Sequence, residues 1–199
     1  MKNIFNKVIL KVRWTFRIKD TIPDINEKRQ IIDMLRKEHN LKVMLETGTF
    51  MGDTVEYFRE KFNRIISIEL SEELATKAKA RFAGDMKINI LQGDSSLILA
   101  KLLKDIQEPV LFWLDGHYSS EFFIGDEFIK TAKGENNTPI LKELDIIFQS
   151  GLPFLILIDD ARLFSGSDDY PTIDQVKKQV KRYRSDARVF VEKDIIHII

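Results

Sequence analysis

The sequence predicts an α/β fold: a Rossmann-like, doubly wound, mostly parallel sheet of about seven strands, with helices on both faces and an antiparallel C-terminal hairpin. Three observations support this prediction. Short apolar runs alternate with helix-like segments from residue 41 onward. These runs are continuous, as in strands that are buried on both faces. The last two runs are joined only by Glu192-Lys193-Asp194, and such a short link requires antiparallel strands.

Each element follows from a local pattern. Parallel strands are expected at Leu41–Leu45, Arg64–Ile68, Lys87–Leu91, Val110–Leu114 and Phe154–Ile158. Helices are expected over Asn26–His39, Thr54–Lys61, Glu72–Phe82, Ser95–Leu103, Pro139–Phe148 and Thr172–Tyr183. The closing hairpin would pair Arg188–Val191 with Ile195–Ile199. The stretch Gly116–Thr138 shows no clear period and is expected to be one long irregular loop, which in a compact domain is usually functional or mobile.

Length and composition limit the function. A chain of 199 residues suits one domain, which we expect to comprise an N-terminal arm and helix over 1–40 and a compact ligand-binding part over 41–199. Basic and acidic residues number 31 each, so the formal net charge is +0 and no nucleic-acid partner is expected. The absence of cysteine excludes disulfides and thiolate metal sites. No apolar run is long enough for a membrane helix, so we expect a cytoplasmic protein.

The first 19 residues are basic and contain no acid. Lysines and arginines alternate there with aliphatic and aromatic residues. One interpretation is an amphipathic segment that makes a peripheral contact with an anionic membrane. The other is an arm that packs on its own domain or on the second subunit of a homodimer.

Six carboxylates are expected at one edge of the sheet. An acid stands at or just after the end of every predicted parallel strand: Glu46, Glu69, Asp94, Asp115 and the pair Asp159-Asp160. Ligands of open α/β sheets bind beyond these strand ends. Acids in such proximity repel each other unless a cationic ligand, a metal ion or both join them. The alternative is that some of them cap the helices that follow.

The turn after the first strand narrows the class of ligand. Gly48 and Gly52 let the backbone approach a ligand closely before the next helix begins. Glu69 follows Gly48 by 21 residues, where dinucleotide-binding folds place an acid on the ribose hydroxyls. The spacing is not Gly-x-Gly-x-x-Gly, and Glu46 beside the turn would repel a phosphate but attract an ammonium group. The pattern favours an adenosine ligand that has positive charge and no phosphate.

Taken in order, these motifs resemble those of the class I S-adenosylmethionine (SAM)-dependent methyltransferases. The matching segments are Glu46–Gly52, Ile68–Glu69, Gly93–Ser95 and Leu114–Gly116, and the resemblance covers roughly residues 41–199. It implies SAM as the cofactor. The cofactor-binding residues that it implies are Glu46, Thr47, Gly48, Thr49, Gly52, Glu69, Leu70, Asp94, Ser95 and Asp115.

Within that set the resemblance implies separate roles. Glu46, Gly48 and Gly52 would line the methionine end, Glu69 would hold the ribose hydroxyls, and Asp94 would accept from the adenine amino group beside Ser95. These roles agree with a ligand that carries positive charge, and with a turn that lacks the glycine spacing of a phosphate-binding loop.

A closer resemblance is to the metal-dependent catechol-type and sugar O-methyltransferases. In those enzymes an acid after the fourth strand and an acidic or acidic–amide pair after the fifth hold a divalent cation. Asp115, Asp159 and Asp160 stand at the matching places and would suit Mg²⁺, although Asp160 replaces the amide of the catechol enzymes. The alternative is a strand-end pair in which one acid caps a helix or pairs with Arg162.

His117 is the histidine that falls on the predicted ligand edge, two residues after Asp115. Its neutral imidazole could take a proton from a hydroxyl near pH 7, so His117 and Asp115 are the predicted catalytic residues. A contact with substrate or metal, or a purely structural role, is the alternative. Tyr118 and the phenylalanines at 122, 123 and 128 would form a lid or an acceptor wall, or else pack in the core.

The sequence thus predicts methyl transfer from SAM to a hydroxyl of a small molecule or a glycan unit. Two other functions stay open. A nicotinamide-dependent oxidoreductase fits Glu69 but not the glycine spacing. A non-catalytic ligand-binding protein could keep the same fold.

Overall fold

The computed structural model describes residues 23–118, 121–124 and 127–199, with residues 121–124 and 127–130 described by their backbone apart from Phe128. The predicted roles of residues 1–19, Phe122 and Phe123 lie outside this description and stay predictions. Among the described residues, no helix has the length and apolar character needed to cross a membrane.

The described chain contains six α-helices and nine strands. The helices are α1 (Ile25–Glu38), α2 (Asp53–Phe58), α3 (Glu72–Arg81), α4 (Ser95–Leu102), α5 (Ile140–Gln149) and α6 (Ile173–Tyr183). The strands are β1 (Val43–Thr47), β2 (Arg64–Glu69), β3 (Ile88–Gln92), β4 (Val110–Leu114), β5 (Glu121–Ile124), β6 (Glu127–Lys130), β7 (Phe154–Ile158), β8 (Val189–Glu192) and β9 (Ile195–Ile198). Short 3₁₀ turns cover Leu103–Asp105 and Ala161–Leu163.

Seven strands form the central sheet in the order β3-β2-β1-β4-β7-β9-β8. Strands β1, β2, β3, β4 and β7 are parallel, whereas β9 runs antiparallel to β7 and to β8. The predicted fold class, including the closing hairpin, is therefore confirmed. The chain builds the sheet outward from β1 to β3 and then returns to place β4 on the other side of β1. This reversal opens a crevice beyond the carboxyl ends of β1 and β4.

Both faces of the sheet are buried, which explains the continuous apolar runs. Alternate residues point to opposite faces, so that Leu45 packs in one cluster with Leu144 of α5, and Met44 packs in the other with Ile32 of α1. Helices α4, α5 and α6 cover the first face, and α1, α2 and α3 cover the second. A sheet covered on both faces exposes its strand ends and loops to ligands.

Two expectations about elements were wrong. The stretch Gly116–Thr138 is not wholly irregular, because β5 and β6 pair antiparallel in a small sheet of their own. The sequence from 121 to 130 is rich in aromatic and β-branched residues, which favour strands over a loop. Strand β1 runs to Thr47 rather than Leu45, because its pairing with β2 and β4 continues past the apolar run. Glu46 consequently lies within the sheet and not on the turn.

Candidate functional site

A cleft of about 240 Å³ opens beyond the carboxyl ends of β1, β2, β3 and β4. Six of the ten predicted cofactor-binding residues line it: Gly48, Glu69, Leu70, Asp94, Ser95 and Asp115. The predicted base, His117, also lines the cleft. The other four, Glu46, Thr47, Thr49 and Gly52, lie behind this lining, and of these Glu46, Thr47 and Thr49 are almost fully buried.

The β1–α2 turn lies directly against the end of β4. Gly48 has a φ of +87°, and a Cβ atom built on it would lie 2.4 Å from the carbonyl oxygen of Asp115. The Gly48 amide donates to the carbonyl of Ile68 at 2.8 Å, and the Asp115 amide donates to the carbonyl of Thr47 at 2.9 Å. Glycine is required at position 48 because the two backbones touch there.

Glu46 lies beneath the turn and is 1% exposed. Its carboxyl group accepts a hydrogen bond from the Ser67 hydroxyl, which also lies 2.6 Å from the Thr49 hydroxyl. Burial raises the pKa of Glu46 to about 8, with smaller contributions from Asp115 and Glu69. The group is mostly uncharged at neutral pH, so its predicted contact with a cationic ligand would require a change of protonation state.

Glu69 is the last residue of β2 and lines the cleft. One carboxylate oxygen accepts from the backbone amide of Phe50 at 2.8 Å, and the other accepts from the amide of Ser71 at 2.9 Å. The first bond holds Phe50, whose φ is +50°, in the turn above the cleft. A carboxylate can accept about four hydrogen bonds, so Glu69 keeps acceptor capacity for a ligand.

Asp94 caps helix α4 and also faces the cleft. Its Oδ1 accepts from the amide of Ser96 at 2.8 Å and from the Ser96 hydroxyl at 2.6 Å. Helix capping was the structural alternative for the strand-end acids, and here a single residue both caps and lines the site. The second oxygen, Oδ2, adds acceptor capacity at the cleft.

His117 lies between two carboxylates. Its Nδ1 is 3.2 Å from Asp115 Oδ1, and its Nε2 is 3.6 Å from Asp160 Oδ2. Burial alone would lower the pKa of His117, but the hydrogen bond to Asp115 and the charges of Asp115 and Asp160 outweigh burial and raise it above 6.5. The Tyr170 ring lies 6.4 Å from the imidazole, and burial beside Asp160 raises the pKa of this phenol to about 12.

The acids after β7, Asp159 and Asp160, accept hydrogen bonds from a lysine that was not among the predicted site residues. Lys28 of α1, which is 5% exposed, donates to Asp159 and, at 3.0 Å, to Asp160, and lies 3.8 Å from Asp194. Arg162 donates to Asp160 at 2.6 Å and to Asp194, which matches the predicted alternative of a pair with Arg162. Burial and repulsion from Asp115 and Asp160 raise the pKa of Asp159 to about 7.

The three predicted metal ligands do not converge on one point. Asp115 and Asp160 come together with His117, and one ligand atom from each lies within 4.8 Å of the others. Asp159 instead directs Oδ1 to Lys28 and to the backbone amide of Asp160, at 2.7 Å for the amide. The predicted set therefore does not fit a metal ion as three free carboxylates would.

Glu143 is a second buried ionisable residue, after Lys28, that the sequence did not predict. It lies in the first turn of α5, is 1% exposed, and has no hydrogen-bond partner for Oε1 among the described residues. Burial raises its pKa to about 7, although the nearby hydroxyls of Ser95 and Thr47 lower it. Through its hydrogen bond with Ser95, this carboxyl supports the wall that carries Asp94.

No known protein family matches the sequence, and no curated protein matches it either. Solved structures match in fold. The O-methyltransferase from Bacillus cereus in complex with SAH has a TM-score of 0.59 at 12% identity, covering 98% of this chain and 88% of that one. The SAH-bound methyltransferase PaMTH1 of Podospora anserina has a TM-score of 0.57 at 15% identity, covering 100% and 88%.

A third similar structure is the O-methyltransferase TomG from Streptomyces achromogenes, which is involved in tomaymycin synthesis and was crystallised with SAM. Its TM-score is 0.56 at 16% identity, with 89% of this chain and 80% of that chain covered. At such identities the likeness is one of fold. The chain thus has the fold of these methyltransferases, as its motifs predicted.

Proposed function

We propose that this chain is a SAM-dependent methyltransferase that acts on a hydroxyl of a small molecule. One observation carries the proposal: Gly48, Glu69, Asp94 and Asp115 line a single cleft at the point where the strand order reverses. Three structures with the same fold, each solved with SAM or SAH bound, support it.

The cleft offers a polar group for each part of the cofactor. The free acceptor capacity of Glu69 suits ribose hydroxyls, and Oδ2 of Asp94 suits the adenine amino group. The tight turn at Gly48 lets the methionine part lie against the backbone. Glu46 would act from beneath the turn, through Ser67 and Thr49, and not as an open wall of the cleft.

When bound, SAM supplies a methyl group already activated by its positive sulfur, and the transfer forms an O–C bond as the C–S bond breaks. The protein's part is to align the acceptor hydroxyl and to remove its proton. Asp115 holds Nδ1 of His117, which leaves Nε2 to accept that proton. Because two of the predicted metal ligands are bound to Lys28, no step of this mechanism passes through a metal ion.

The acceptor would lie on the His117 side of the cleft. Tyr118 lines the cleft next to His117, and Tyr170 lies behind the imidazole. Aromatic rings pack well against the flat faces of sugars and aromatic rings, so a glycan unit or a phenol fits this side. For residues 1–19, a peripheral membrane contact and a homodimer contact remain the two proposals.

Titration calorimetry with SAM, SAH and NADH tests the cofactor, and mass spectrometry of hydroxylated metabolites incubated with SAM tests the reaction. We expect SAM and SAH to bind and NADH not to bind. Glu69→Gln should weaken SAM binding by about tenfold or more, because a charged acceptor is lost. The matched control is Glu72→Gln, an exposed acid on α3 that should bind as the wild type does. Binding of NADH without binding of SAM would favour the oxidoreductase.

A further inference from the structure

We propose that Lys28 is the built-in cation of this site, and that its ammonium group neutralises the carboxylates after β7 in place of a divalent metal ion. The inference goes beyond the proposed methyl transfer, because it concerns the charge balance of the site whichever ligand binds. It rests on the geometry of three groups: the ammonium, the carboxylates that it contacts, and the imidazole beside them.

Lys28 is a buried residue of α1, and the packing of that helix on the sheet sets its position. Its side chain lies on the same face of α1 as Ile32 and Leu35, which pack in the hydrophobic core. A buried ammonium group is costly unless charged partners surround it. Here it donates to Asp159 and Asp160, and Asp194 lies 3.8 Å away.

The hydrogen bonds of Lys28 occupy one carboxylate oxygen of each acid after β7. Asp159 Oδ1 accepts from Lys28 and from the amide of Asp160. Asp160 Oδ1 accepts from Lys28 and from Arg162. A Mg²⁺ ion requires oxygens at about 2.0–2.1 Å, and the two cations that already contact Asp160 Oδ1 would repel it.

The other candidate metal ligands are Asp115, His117 and Asp160, and these three side chains also lie against one another. Both ring nitrogens of His117 face carboxylate oxygens, Nδ1 that of Asp115 and Nε2 that of Asp160. In this arrangement the imidazole lies between the two acids, bonded to Asp115 and near Asp160. A metal ion held by these three groups would lie beside Lys28 and Arg162, whose positive charges already lie against Asp160 and would repel it.

The charges of the described residues agree with this assignment. Four carboxylates meet here, from Asp115, Asp159, Asp160 and Asp194, and they face Lys28, Arg162 and His117. For two of the six strand-end acids, Asp159 and Asp160, the cation is thus supplied from α1. If Lys28 is removed, Asp159 and Asp160 lose their shared partner and should become open to an external cation.

The test is metal binding by the full chain, measured by Mn²⁺ titration with electron paramagnetic resonance and by thermal unfolding with and without Mg²⁺. The wild type should bind no Mn²⁺ at micromolar concentrations, and Mg²⁺ should leave its melting temperature unchanged. Lys28→Ala should melt at a lower temperature, bind Mn²⁺ at least about tenfold more tightly than the wild type, and regain stability when Mg²⁺ is added. The control is Lys37→Ala, which removes an exposed lysine of the same helix that pairs with Asp33.

Micromolar Mn²⁺ binding by the wild type, abolished by Asp160→Asn, would overturn the proposal. So would a folded Lys28→Ala variant that gains no affinity for Mn²⁺. If Lys28→Ala does not fold, Lys28→Gln takes its place, and the wild-type titration decides in either case. Neither SAM nor an acceptor is used, so failure here is distinct from failure of the proposed methyl transfer.

Discussion

At the residue scale, the pair Asp115–His117 sets the pH dependence of the proposed reaction. The raised pKa of His117 means that the neutral base predominates only above the ordinary value of 6.5. The rate should therefore fall as pH falls through that raised pKa, by about tenfold per pH unit below it. Asp115→Asn removes the charge that raises the pKa, so the acidic limb of kcat/KM should move to lower pH.

The measurement is a pH profile of kcat/KM for the wild type, Asp115→Asn and His117→Ala. His117→Ala should be slow at every pH and lack the acidic limb. If the acidic limb stays in place in Asp115→Asn, or persists in His117→Ala, a group other than His117 produces it.

Glu46 sets a second, independent pH dependence, that of stability. Burial raises its folded-state pKa from 4.5 to about 8, so the folded protein keeps a proton that the unfolded chain loses. The proton on Glu46 contributes fully to the free energy of unfolding below pH 4.5. This contribution is lost as the pH rises toward 8. Glu46→Gln keeps the acceptor for Ser67 and removes this loss.

We therefore expect Glu46→Gln to be about as stable as the wild type near pH 4.5 and more stable near pH 8. The difference should amount to a few kcal/mol, at about 1.4 kcal/mol per pH unit. Urea unfolding at both pH values measures it, with the exposed Glu72→Gln as the control. Parallel pH curves for Glu46→Gln and the wild type would show that Glu46 does not titrate in this range.

The sequence predicted which acids lie near the carboxyl ends of the strands, because the apolar runs locate each parallel strand. It did not predict their partners, since Lys28 and Asp159 are 131 residues apart. A signal for the missed residues was nevertheless present. Lys28 is spaced with Ile32 and Leu35, and Glu143 is spaced three and four residues from Ile140 and Ile147. Each therefore places an ionisable group on the apolar face of its helix. Such a charge must have a buried partner.

At the element scale, the β1–α2 turn depends on a backbone contact that no side chain can enter. Gly48 and Gly84 both have a φ of +87°, but only at Gly48 would a Cβ meet other atoms within 4 Å. Ala at either position costs about 1–2 kcal/mol for the left-handed backbone. Ala at 48 must also push the end of β4 away, which moves Asp115.

Gly48→Ala should therefore lower the free energy of unfolding by clearly more than Gly84→Ala does, and should abolish the binding of SAM that we propose. Gly84→Ala should bind SAM as the wild type does. Chemical unfolding and titration calorimetry measure the two effects. Equal losses of stability in the two variants would mean that the Gly48 contact relaxes at little cost.

Element types could be predicted from the sequence more reliably than element ends. The strands β4 and β7 were predicted to the residue, because their apolar runs coincide with their ladders. Strand β1 was not, since its last two residues, Glu46 and Thr47, are polar yet paired with β2 and β4. The β5–β6 pair stands outside the main sheet, so no core periodicity marks it.

At the scale of the whole molecule, α1 belongs to the same structural unit as the site. The sequence predicted one domain with an arm and a helix over 1–40 and a compact ligand-binding part over 41–199. In the structure, Ile32 packs in the cluster that contains Met44 of β1 and Trp113 of β4. Lys28 joins the same helix to the acids after β7. The hydrophobic cluster and the ion pairs of Lys28 together connect α1 to β1, to β4 and to the end of β7.

A helix tied in this way should unfold with the sheet in one transition. Ile32→Ala removes a side chain that is 1% exposed, so it should lower the free energy of unfolding of the whole molecule by about 2–5 kcal/mol. Met34→Ala, at a position 55% exposed on the same helix, should change it by less than about 0.5 kcal/mol. Urea unfolding followed by circular dichroism and by tryptophan fluorescence should give coincident curves for all three proteins. If α1 were a separate unit, Ile32→Ala would instead add an early transition and leave the midpoint of the remainder unchanged.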